Sequence, residues 1–314
     1  MNETYREIYG ISVHCVADPR AATVVDAFFG APVAPRADAP SLRLTVRVVD
    51  HPAAATAEPP HTEEVIAADP IIIDTGGSRC EFDVAAGVAR VTLCAADLTN
   101  PIVWGRWIFE RLALYLVCRS SRLYPLHAGA FVADGHAVLV SGPTGMGKST
   151  FVHTALRHGA ELVGEDIMVR DLRDEVPGRL WGYPQALYVT PERLAGNADL
   201  AQAVTAPVND GEKLRVTISG PLAARLRSSV VPDSVVFLSR GDATIRPLTV
   251  DEAVQRCRDD FATGKADPVL LGEIEDDLRS LLADRLIWEL AMSSDLDASY
   301  DRLLDMVRSL APTN

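Results

Sequence analysis

Apolar and polar positions alternate through much of the first hundred residues. The segments IYGISVHCV (8–16), SLRLTVRVVD (41–50), DPIIIDT (69–75), RCEFDV (79–84) and VARVTLCAAD (88–97) are rich in β-branched residues and read as strands. Gly76, Gly77 and Gly87 punctuate them as turns, and HPAAATAEPPH (51–61) reads as an exposed loop or linker. At Thr99-Asn100-Pro101 the period changes. A polar N-cap candidate followed by proline predicts a helix running to about Arg119, with Trp104, Trp107, Ile108, Leu112, Tyr115 and Leu116 on a broad core-facing surface.

A second pattern begins at Leu123. Short strands around 125–132 and 136–140 lead into a glycine-rich loop, and a helix follows over 148–158, stopped by Gly159. A strand over 161–164 ends in acidic residues. IMVRDL and RLWGYPQ flank DEVPG (174–178) as a hairpin, and VVFLS (235–239) is a further strand. Helical patterns are predicted near 250–263, 272–293 and 297–310. Strand, glycine loop, helix, acidic strand end: the order predicts an α/β nucleotide-binding core behind a small β-rich domain. The expected division is 1–98 for the β-rich domain, 99–122 for a connecting helix and 123–314 for the core with its helical C-terminal part.

Composition narrows the class. The chain has 314 residues, 48% hydrophobic and 23% charged, a globular mix with no internal repeat. A formal net charge of -13 disfavours nucleic acid and anionic membrane as partners. The apolar stretch 102–117 is interrupted by Arg106, Glu110 and Arg111, so it reads as a buried helix and not as a membrane span. The N-terminus lacks a basic segment followed by an apolar one, and Cys15, Cys80, Cys94, Cys118 and Cys257 form no CxxC pair. Both features fit reduced thiols and a cytoplasmic location.

Gly142-Pro143-Thr144-Gly145-Met146-Gly147-Lys148-Ser149-Thr150 carries the chemistry. Its glycines allow backbone N–H groups to converge at a helix N-terminus, where phosphate is held. Lys148 is placed for the β- and γ-phosphates and Ser149 for Mg²⁺, so ATP with Mg²⁺ is the expected cofactor pair. Chance would produce such a motif in a chain of this length on the order of 1% of the time. Glu165 and Asp166, soon after at a strand end, are candidates for metal binding or proton acceptance. His127, just before the strand that feeds the loop, is the third candidate. The other histidines, His14, His51, His61, His136, His153 and His158, show no ligand spacing and read as surface or packing residues.

The succession LHAGAFV, VSGPTGMGKST, LVGEDI resembles the HPr kinase/phosphorylase group and its relative phosphoenolpyruvate carboxykinase over roughly 123–172. The short interval between loop and acidic pair is the distinguishing mark. More loosely, Tyr5-Arg6-Glu7-Ile8-Tyr9-Gly10, the β-rich start and the long helix are similar to HPr kinase-like proteins of bacterial biosynthetic clusters. Some of these phosphorylate a serine at the end of a precursor peptide, as in lasso peptide maturation. The resemblance implies a P-loop kinase core of that type, with Lys148 and Ser149 on phosphates and metal. It implies Asp166 at the metal, His127 near the transferring phosphate, and Lys213 as a basic group able to reach the phosphates. Glu165 stands where the family has the aspartate that acts as base toward the acceptor hydroxyl.

The implied activity is a Mg-ATP-dependent kinase acting on an alcohol, whether a peptide serine or a small molecule. Two alternatives stand beside it: a nucleotide-dependent regulatory ATPase or switch that binds a protein partner, and a carboxykinase-like lyase. The lyase is disfavoured by a short chain and by the lack of an arginine-rich motif upstream. Oligomeric state, acceptor identity and preference among ATP, GTP and pyrophosphate are left open.

Overall fold

A computed structural model of the chain describes residues 1–35, 41–50, 58–59, 63–183, 186–195, 200–201, 208–210, 213–218, 220–242, 244–259 and 268–310. The fold is mixed α/β, and the chain forms two compact units. The first comprises Met1–Ser120, Gln185–Arg193 and Val204–Thr217; the second comprises Ser121–Pro184, Leu194–Ala203 and Ile218–Asn314. This departs from the expected division. The helical segment after residue 99 packs within the first unit, and a later stretch of chain returns to it.

The first unit is built on a sheet ordered β1-β2-β3-β6-β5-β4. Its strands are β1 (Asn2–Ile8), β2 (Ile11–Ala17), β3 (Ser41–Val49), β4 (Ile71–Asp74), β5 (Arg79–Asp83) and β6 (Val88–Cys94). The strand expected over 8–16 is interrupted. Tyr9 and Gly10 adopt φ of 52° and 75°, which turns Ile8 back onto Ile11 as a tight hairpin. Helix α1 (Ala22–Phe29), which sequence patterning did not mark, buries Val24, Val25, Phe28 and Phe29, and a short helix α2 (Glu63–Ala67) precedes β4. The expected long helix is present, but Ile102–Glu110 is wound as a π-helix that continues into α3 (Arg111–Arg119). A small sheet ordered β13-β15-β14, from β13 (Ala186–Val189), β14 (Val208–Asp210) and β15 (Lys213–Thr217), completes the unit.

An ion pair with a fully buried arginine ties this small sheet to the π-helix. Arg215 donates to Glu110 Oε1 from Nε at 3.2 Å and from Nη2 at 3.1 Å, and Tyr188 donates to Glu110 Oε2 at 2.6 Å. The guanidinium lies so close to the helix that a Cβ on Gly105 would stand 2.8 Å from Arg215 Cζ.

The second unit is built on a sheet ordered β10-β8-β9-β17-β19-β18. These strands are β8 (Ala128–Ala133), β9 (His136–Ser141), β10 (Glu161–Gly164), β17 (Ser234–Arg240), β18 (Thr244–Pro247) and β19 (Leu286–Met292). The expected helix over 272–293 divides into a helix, Pro268–Ala283, and the strand β19. Leu286–Met292 pairs in parallel with β17 on one side and antiparallel with β18 on the other, so tertiary pairing overrides a local pattern compatible with either state. The other C-terminal helices are Val250–Asp259 and Leu296–Leu310. A second sheet, ordered β16-β12-β11-β7, joins β7 (Leu123–Leu126), β11 (Met168–Asp171), β12 (Leu180–Trp181) and β16 (Ser229–Val230). Its β11–β12 pairing is the expected hairpin.

One polar cluster anchors this sheet. Arg170 donates to Asp277 through Nε at 2.9 Å and Nη2 at 3.0 Å, and Tyr124 donates to Asp277 Oδ2 at 2.8 Å. Burial raises the Tyr124 hydroxyl pKa well above its ordinary value, so it remains a donor. Asp277→Ala strands a largely buried guanidinium, and should lower the unfolding free energy by about 3 kcal/mol in urea titration.

Among the described residues no helix is long and apolar enough to cross a membrane. The cysteines are all free, with Cys15, Cys80 and Cys94 buried. Burial pushes the Cys15 thiol up to about 11 and Cys80 to about 12, so both stay protonated and unreactive at neutral pH. A thiol reagent added to the native protein should label only the partly exposed Cys118 and Cys257, and full labelling should require denaturant.

Candidate functional site

Strand directions bring the candidate residues together. β8 is antiparallel to β9, and β10 is antiparallel to β8, so β9 and β10 run the same way. The start of β8, the end of β9 and the end of β10 therefore share one edge of the sheet. His127 precedes β8, Gly142 follows β9, and Glu165-Asp166 follow β10. The strand beside β9 in parallel, β17, ends in Ser239-Arg240.

The loop turns through Gly142, Gly145 and Gly147, with φ of 150°, 79° and 101°, into helix α4 (Lys148–Arg157). Gly147 is the N-cap, and no side chain caps this end. Its first-turn N–H groups and the positive end of the helix dipole thus face the loop. Lys148 is only 5% exposed. Its ammonium donates to Gly142 O at 2.6 Å and to Pro143 O at 3.4 Å, and lies 3.5 Å from His127 Nδ1. On its other face His127 Nε2 lies 3.3 Å from Asp166 Oδ1. One neutral tautomer suits both neighbours: the proton sits on Nε2 toward the carboxylate, and the Nδ1 lone pair faces the ammonium. Lys148, His127 and Asp166 thus form a continuous polar chain from the loop to the end of β10.

Glu165, expected as the base toward an acceptor, is 6% exposed. Its carboxylate is buried and accepts from His153 Nε2 at 2.6 Å, with both side chains under a tenth exposed. Asp166, by contrast, is 60% exposed. The extra methylene of the glutamate gives it the reach to α4, and consecutive residues turn to opposite sides. His153, expected to be a surface or packing residue, is buried on α4 and is also the partner of Glu165. Its position among Phe151, Val152, Ala155 and Leu156 on the buried part of α4 was the available signal.

These contacts depend on how closely α4 lies on the sheet. A Cβ on Gly129 would stand 2.7 Å from Val152 Cγ2 and 3.0 Å from Glu165 O. Phe131, Phe151 and Tyr300 pack with ring centroids 6.1–6.3 Å apart, and Arg157 and His158 both bond Asp297, fixing the far end of the helix.

No group of three or more His, Cys, Asp or Glu able to hold a metal occurs among the described residues. Ser149 and Asp166 carry hard oxygen donors, and they are the residues that would hold a Mg²⁺ taking its remaining ligands from phosphate and water. Lys213 falls in β15 of the first unit, and its side chain lies outside the described residues.

No family model matches the chain, and no curated protein matches it. Among solved structures, that of the Hpr(Ser) kinase/phosphatase from Coxiella burnetii aligns with 60% of this chain and 97% of its own, at 11% identity and a TM-score of 0.33. A likeness of that degree carries no argument about this chain.

Gly129→Ala tests the close packing directly. The added methyl must displace Val152 or the end of β10, so the unfolding free energy should fall by about 1–3 kcal/mol in urea titration.

Proposed function

We propose that the chain is a Mg-ATP-dependent phosphotransferase that moves the γ-phosphoryl group to an alcohol hydroxyl. The observation that carries this reading is the Lys148–His127–Asp166 chain standing beside an uncapped helix N-terminus. The loop amides from Gly142 to Thr150 and the Lys148 ammonium hold the phosphates. Ser149 and Asp166 hold the magnesium, which when bound neutralises charge on the transferring group. Lys148 already sits against loop carbonyls, so it exchanges those contacts for phosphate oxygens without crossing the site. Phosphoryl transfer asks mainly for position and electrostatic support. The exposed carboxylate, Asp166, with His127 behind it, is the group open to both metal and acceptor.

A hydroxyl acceptor, on a peptide serine or a small molecule, fits an edge that offers a carboxylate and an imidazole. The resemblance to serine-phosphorylating HPr kinase-like proteins of biosynthetic clusters favours the peptide.

Incubation with radiolabelled ATP and panels of serine peptides and small alcohols tests the proposal. A labelled, acid-stable phosphate monoester, on the peptide serine or on the small alcohol, is expected. Turnover that responds only to a protein partner, with no phosphorylated product, identifies a switch instead. Lys148→Ala should reduce turnover by at least ~100-fold, the scale lost with a single transition-state electrostatic contact. Asp166→Asn should shift the Mg²⁺ requirement upward by about 10-fold or more. Wild-type turnover in Lys148→Ala would remove the site assignment.

A further inference from the structure

We propose that His153 is a positioning residue. Its bond to Glu165 braces the end of β10 against α4, so that Asp166 stands beside His127 and the loop. The inference rests on the phosphotransferase reading for what the site does, but its geometry is independent of that reading.

Glu165 Oε2 and His153 Nε2 are 2.6 Å apart, and both residues are buried, at 6% and 5% exposure. In such surroundings water does not compete for the bond. His153 Nδ1 is buried as well and has no hydrogen-bond partner. A pair with an unmatched nitrogen is a costly way to fill space between Phe151, Val152 and the sheet, where an aliphatic pair would suffice. What the polar pair supplies that an aliphatic pair does not is direction. His153 shares one rigid helix with Lys148 and Ser149, while Glu165 directly precedes Asp166. A bond between them fixes the Asp166 backbone relative to the loop, on a strand end whose carbonyls already press on Gly129. An aspartate at 165 would fall about 1.5 Å short, the length of one C–C bond.

Thus Glu165 acts by holding position, through His153, and is not the group that meets the acceptor. The two roles separate by substitution. Glu165→Gln keeps an acceptor oxygen at full reach, whereas Glu165→Asp keeps the charge and loses the reach. His153→Gln keeps an amide donor near the position of Nε2, whereas His153→Leu fills the space without a donor.

The readouts are the Mg²⁺ concentration that half-saturates binding of a fluorescent ATP analogue, kcat and the ATP KM, with thermal unfolding recorded for each variant. Supporting partners of metal ligands are typically worth about 10–100-fold in metal affinity or activity. Glu165→Asp and His153→Leu are therefore expected to raise the Mg²⁺ midpoint and lower kcat by about 10-fold or more, with KM little changed. The two glutamine variants are expected to recover most of that loss.

Loss of transfer in Glu165→Gln as deep as in Glu165→Asp, at an unchanged Mg²⁺ midpoint, would make Glu165 the base and overturn the brace. Equal damage in His153→Gln and His153→Leu, or no damage in any variant, overturns it as well. A wild type that binds Mg-ATP but phosphorylates no alcohol removes the phosphotransferase reading alone, because the Mg²⁺ midpoints still score the brace. A wild type that binds no Mg-ATP overturns both.

Discussion

The approach of α4 to β8 is the constraint on which the second unit turns. It is set by a single missing side chain, Gly129, where Val152 and the carbonyls after β10 crowd the space that a Cβ would need. With the helix held there, its N-terminus stands at the end of β9 and its second turn reaches the end of β10. Lys148 and His153 then look from one helix toward two different strand ends. A larger gap would leave the loop glycines in place and yet dissolve the contacts that give them chemical company.

Two kinds of polar contact share this edge, and they differ in what water can do to them. The His127–Asp166 contact is open to solvent, so it can be exchanged for other ligands at small cost. The His153–Glu165 bond is closed off and persists unless the helix itself moves. A site that must receive a charged ligand without rearranging its frame gains from that separation. Exchangeable contacts lie where the ligand arrives, and permanent ones lie beneath.

The sequence made the glycine loop, its flanking strand and helix, and the nearby acidic pair legible because each depends on local pattern. The strands of the first sheet were readable from alternation for the same reason. The turn at Tyr9-Gly10 was not, because a non-glycine residue with positive φ leaves little trace in composition. Leu286–Met292 looked helical in continuity with the preceding helix, and only its pairing with Ser234–Arg240 makes it a strand. The site shows the same division. His127 could be singled out from its place before a strand, but which carboxylate faces it could not. That choice depends on the reach of Glu165 across to a histidine twelve residues earlier, on a helix whose distance from the strand is set by Gly129.

The return of the chain to the first unit has a consequence for how this architecture can be inherited. Residues 185–193 and 204–217 belong with 1–120 although they lie far downstream. They carry Tyr188 and Arg215, the partners of Glu110. A single crossover between genes cannot separate the two units, because wherever it falls at least one of them is split. A fragment ending at residue 120 would leave Glu110 without these partners and the π-helix without the sheet strand that covers Gly105. The two units are thus inherited together, within one reading frame.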